Sequence, residues 1–189
     1  MFKVLCNIFI CFGVSCATAS SAPVPVSAKK APPISAVQIQ YTARVRLLAS
    51  DVRWALATLH LNWENYETLQ KLIDKPLKDT DVAATREEQV RVKGRLLTAM
   101  KAVQSNARRL RSLTPVPRAW KRWDDKLIDA SLDLEEGVSN LSVWLLNPFD
   151  EAKNAGARNL RRAQSTLEGV TKELTQRTDQ AVARKVYVE

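Results

Sequence analysis

Reactive side chains are scarce in this chain of 189 residues. Its three cysteines, Cys6, Cys11 and Cys16, all fall within the first sixteen positions, and His60 is the only histidine. A folded part without cysteine excludes disulfides, thiolate nucleophiles and covalent haem attachment through Cys-x-x-Cys-His. A single histidine excludes the di-iron site of helical carboxylate proteins, which needs two Glu-x-x-His pairs. It would also have to serve any Ser-His-Asp triad alone, and no Gly-x-Ser-x-Gly accompanies it. Neither Gly-x-x-x-x-Gly-Lys nor Gly-x-Gly-x-x-Gly occurs, so no phosphate-cradling loop supports nucleotide binding. The reading is therefore of a protein that is not an enzyme and has no cofactor.

Glycine is also sparse, at five residues, and no convincing alternation of apolar and polar residues marks a strand. Ala, Leu, Arg, Lys, Gln and Glu dominate, all good helix formers. Apolar residues recur at spacings of three and four in four segments, the signature of helices with one buried face. The stretch 114–148 shows it most clearly, with Trp120, Trp123, Leu127, Ala130, Leu134, Val138, Leu141 and Leu145 on one stripe. A first helix over 35–73 has Tyr41, Val45, Leu48, Val52, Leu56, Leu59, Trp63 and Tyr66 inward. A second, over 81–113, has Val92, Leu96, Met100, Val103, Ala107 and Leu110. The fourth, over 148–183, has Phe149, Ala152, Gly156, Leu160, Ala163, Leu167, Val170, Leu174 and Ala181. The expected fold is all-α: an antiparallel up-and-down four-helix bundle of long helices over 35–186, with the third helix spanning 117–146.

Boundary residues agree with these segments. Ser35 is placed to cap the first helix, and Thr80, Asp81 or Thr85 the second, Thr85 with Glu88 fitting a capping box. Pro76 ends the first helix; Pro115 and Pro117 open the third. Asn147, Pro148, Asp150 and Glu151 form a start signal for the fourth: a cap, a proline at the first helical position and acids beside the positive dipole end. The first half of the fourth stripe is nearly all small, and Trp63 or Trp144 is expected to fill the space opposite it.

The first 22 residues have the layout of an export signal: Lys3, an apolar run from Val4 to Val14, then small residues. Two cleavage readings stand. Ala17-Thr18-Ala19 suits ordinary signal peptidase, whereas Phe12-Gly13-Val14-Ser15-Cys16 resembles a bacterial lipobox, which would make Cys16 the lipidated first residue. The signal is expected over 1–19 and an Ala/Ser/Pro-rich linker over 20–34. Location is then the periplasm, outer membrane or cell surface of a bacterium, with membrane attachment through Cys16 if it is modified.

Two surface features remain after the core is assigned. Leu47, Trp54 and Leu61 form an apolar row, spaced by seven, that the first stripe does not include. Arg91, Arg95, Lys101, Arg108 and Arg109 form a basic strip on the outward side of the second helix. Segment 76–113 has nine basic residues against four acidic, and segment 114–146 has four against six. Asp124, Asp125, Asp129 and Asp133 are expected as counter-charge to the strip. The row is expected to be partly buried against a neighbouring helix and the strip to be a solvated face; as functional features, the row is a candidate interface for a partner or for self-association, and the strip a candidate contact for an anionic polymer or lipid. Trp120 and Trp123 lie on a core stripe, so the basic-aromatic run at 118–123 does not suggest nucleic acid. His60 and Glu64, one turn apart, are the nearest approach to a metal pair and read as a polar flank, with Glu67 beside Lys71. The overall expectation is an envelope protein that binds another envelope component through a helix face; the alternative is a small-ligand or metal carrier using the interior near Gly137, Ala152 and Gly156, or His60 with Glu64.

Overall fold

A computed structural model describes residues 34–74 and 79–186; the stretch read as an export signal, Cys16 and the expected linker up to residue 33 lie outside the described residues. The described chain is all-helical: α1 (Ala36–Ile73), α2 (Asp79–Arg111), a 3₁₀ turn (Arg118–Trp120), α3 (Lys121–Leu146) and α4 (Asp150–Val186). Among the described residues there is no strand.

α1 begins on a full capping box. The Gln38 amide donates to Ser35 Oγ at 3.3 Å, and the Ser35 amide donates to Gln38 Oε1 at 2.7 Å. Ile34, assigned to the linker by composition, is buried and joins the core. The start of α2 lies six residues before the expected capping box: Thr85 is inside the helix and its hydroxyl donates to the Asp81 carbonyl at 2.6 Å. A threonine hydroxyl within a helix can satisfy itself on the carbonyl one turn back, so its spacing to Glu88 marks no boundary.

Pro115 and Pro117 delay the third helix. The chain first makes a 3₁₀ turn, closed by the Trp120 amide on the Pro117 carbonyl at 2.8 Å, and Trp120 leaves helical geometry at φ −114°, ψ 8°. The break swings the Trp120 ring against Tyr41 and Trp123, at centroid separations of 6.1 and 6.4 Å. At the other end Asn147 closes α3 in an extended conformation instead of capping α4. A short turn joins the Phe149 amide to the Asn147 carbonyl at 2.7 Å, so α4 starts at Asp150 and leaves Phe149, expected in the core, exposed.

The four stripes meet in one core, α1 packing on α2 and α4, and α3 likewise. α3 and α4 approach most closely where glycine faces glycine: a Cβ built at Gly156 would lie 2.9 Å from the Gly137 carbonyl oxygen and 3.0 Å from Leu141 Cγ. Leu141 and the α3 backbone thus lie against Gly156, and Leu160 of α4 lies against Gly137. Trp144 and Trp63 pack on each other at 6.0 Å, with Tyr66 edge-on to Trp144 at 5.8 Å. Polar links cross the core as well: Tyr41 donates to Asp124 at 2.9 Å, and Thr42 and Thr178 share a hydrogen bond at 2.9 Å.

Candidate docking surface

The apolar row on α1, expected to be partly buried against a neighbouring helix, is open to solvent. Leu47 is 62% exposed, Trp54 75% and Leu61 59%, values far from those of the core stripe on the same helix. Between them on the same face lie Ser50 and Ala57, also exposed, so large and small residues alternate at spacings of three and four. This face repeats the pattern of a helix-packing seam without a partner from α1 or its neighbours. Arg46 and Arg53 precede Leu47 and Trp54 by one residue, and both are exposed.

Beside Trp54 the surface dips into an open groove of about 760 Å³ between α1 and α2. Ala55, Ala99 and Ala102 line it with small apolar surface, and Trp54, Arg91 and Arg95 stand along it. Gly94 also lines the groove, where an added Cβ would meet nothing within 4 Å. A helix interior glycine costs roughly 1 kcal/mol relative to alanine. Here no neighbour within the fold needs the space.

The structure therefore joins part of the apolar row to part of the basic strip. Trp54, Arg91 and Arg95 share one groove; Leu47, Leu61, Lys101, Arg108 and Arg109 do not line it. Counter-charge for the strip comes from α2 itself and from α1, not from the aspartates of α3. Arg91 pairs with Glu87 and Glu88, each at 3.1 Å, and Arg95 reaches the same Glu88 at 3.8 Å. Arg109 meets Asp51 at 2.9 Å. Among the described residues Lys101 and Arg108 form no ion pair. Asp124 and Asp125 are taken by Lys121, at 3.4 and 2.5 Å, and Asp133 by Arg162. Pairs as exposed as those of Arg91 and Arg95 contribute little and exchange readily for another carboxylate.

His60 and Glu64 lie 3.2 Å apart on an exposed flank, and no group of three or more metal-ligating side chains occurs among the described residues. Glu67 does not pair with Lys71: it accepts from the Trp63 indole at 3.0 Å and meets Lys153 of α4 at 3.1 Å, which raises the pKa of the Lys153 ammonium. Among the described residues no helix is long and apolar enough to cross a membrane. No protein family, curated protein or solved structure matches the chain.

What sequence reasoning missed is the groove itself. Its signal was present as Gly94, Thr98 and Ala102, small residues four apart on the outward side of α2, but spacing alone does not say which neighbour they border.

Proposed function

We propose that this chain is a non-enzymatic bacterial envelope protein, exported or held to the membrane by a lipid on Cys16, whose α1–α2 face docks an anionic envelope partner. Its helices are read as an antiparallel up-and-down four-helix bundle. The contacts supporting that topology run in opposite directions. Arg109, late in α2, meets Asp51 in the first half of α1, whereas Gln89, early in α2, meets Gln70 near the end of α1. In the second hairpin Arg122 lies by Glu173 and Asp133 by Arg162. Between α1 and α4, Thr42 pairs with Thr178, and Glu67 with Lys153.

The observation carrying the docking reading is the groove that brings exposed Trp54 beside Arg91 and Arg95. A large aromatic edge supplies apolar contact, and guanidinium groups supply charge-assisted hydrogen bonds to carboxylates or phosphates. Export rests on Lys3, the apolar run to Val14 and the cleavage signals at Cys16 or Ala17–Ala19.

Two probes test the docking face: polyglutamate and phosphatidylglycerol vesicles. Binding of at least one is expected to weaken with added salt and to fall about tenfold or more on replacing Arg91 and Arg95 by Glu, and also on Trp54→Ser. Binding indifferent to salt and to these substitutions contradicts the reading. Intact mass of the native protein tests export: a diacylated chain beginning at Cys16 or an unmodified one beginning at Ser20 is expected, and a chain retaining Met1 contradicts it. At the interior site of the carrier reading, Leu160 lies against Gly137 and Leu141 against Gly156.

A further inference from the structure

We infer that the α1–α2 groove takes the outward face of α3 from a second copy of this chain, so that the protein self-associates head to tail. The inference rests on the docking reading above and names an occupant for that face.

α3 is the acidic helix of the molecule, with six Asp and Glu against three Lys and Arg, whereas α2 has four against eight. Its outward face runs Asp129, Leu132, Glu136, Ser139, Val143, Leu146 at spacings of three and four, all exposed. Leu146 is 78% exposed, and neither Asp129 nor Glu136 forms an ion pair among the described residues. An apolar helix face with free carboxylates is therefore present on the same molecule as an apolar face bordered by guanidinium groups.

The two faces match in length and in size order. Leu47 to Leu61 and Leu132 to Leu146 are each two heptads, about 21 Å of helix. On α1 the middle position is the bulky Trp54; on α3 it is the small Ser139. Set side by side, tryptophan lies opposite serine, with a leucine at either end. Asp129 and Glu136 then come within reach of Arg91 and Arg95 on the rim of the groove. Pairing two α1–α2 faces would instead oppose guanidinium to guanidinium, so charge selects the unlike faces. A contact between unlike faces leaves one of each free, and repeated addition builds an open chain or a ring.

Sedimentation velocity of the mature chain, over a concentration series at low and high salt, tests the inference. Wild-type protein is expected to associate with rising concentration, and salt to weaken the association. Replacing Arg91 and Arg95 by Glu, or Asp129 and Glu136 by Lys, should each weaken it about tenfold or more, with helix content by circular dichroism unchanged. Mixing the two charge-reversed chains should restore it, because each groove then meets an α3 of opposite sign. A monomer at every concentration overturns the inference, as does a mixture that fails to associate. If the groove variant loses association while the α3 variant keeps it, the second-copy α3 is excluded and the docking face stands. Polyglutamate and vesicle binding judge that face separately.

Discussion

Asp124 lies among the acids of α3 but is the one that folding buries. Its carboxylate accepts from the Tyr41 hydroxyl at 2.9 Å and meets the Lys121 ammonium at 3.4 Å. A buried carboxylate is tolerated when such partners replace water. Burial, and after it the hydrogen bond and charge of Asp124, raise the Tyr41 pKa well above its ordinary 10.0. The unfolded tyrosine ionises near that ordinary value while the folded one stays protonated. The resulting stability is complete below it and is lost as pH rises toward the folded value. Tyr41→Phe should cost about 1–2 kcal/mol at neutral pH, by leaving Asp124 short of a donor. Urea midpoints from pH about 8 to about 11 should fall less steeply in the variant than in wild type. Equal slopes would show that Tyr41 does not carry the alkaline limb.

At the scale of elements, glycine positions separate packing from propensity. A Cβ at Gly137 would lie 2.7 Å from Leu160 Cδ2, and one at Gly156 would press on the Gly137 carbonyl oxygen. Ala gains roughly 1 kcal/mol of helix propensity at either site, but overpacking costs about 1–3 kcal/mol. Backbone cannot step aside as a side chain can, so Gly156→Ala should be the more destabilising of the two. Gly94→Ala and Gly169→Ala meet nothing within 4 Å and should raise the melting temperature. Thermal unfolding of the four variants checks the order, and a stabilised Gly156→Ala would refute the close approach of α3 and α4. Such contacts were only half legible in sequence. Spacings of three and four predicted most of the buried aliphatic residues, because helix geometry ties period to face. Trp144, expected across the bundle from α4 and not on the third stripe, is buried beside Trp63 and Tyr66, while Leu145 on the stripe is only partly buried, because neighbouring residues offer the same period. The Tyr41–Asp124 and Thr42–Thr178 links were missed because a polar residue at an inward position has no signature in hydropathy. The helix starts at Asp79, Lys121 and Asp150 depart from expectation because proline and capping residues mark where a helix can begin, and the connection to the preceding helix decides where it does.

For the molecule as a whole, both halves of the candidate site could be seen in the sequence but not their meeting. The row at Leu47, Trp54 and Leu61 and the strip beginning at Arg91 and Arg95 belong to different helices, and the rotation of each about its axis decides whether they adjoin. That rotation comes from the core: Val52, Leu56 and Leu59 on α1, with Leu96, Met100 and Val103 on α2, point inward and leave Trp54 and Arg95 outside along one groove. Apart from its own neighbours the face is uncovered, which makes its state in the host cell the decisive quantity. The most direct measurement is oxidative footprinting of Trp54 in intact host cells against dilute purified protein, with buried Trp120 as the internal reference. Trp54 protected in the cell and oxidised in dilute solution is the predicted result. Equal oxidation in both would contradict the claim that this face is a docking surface.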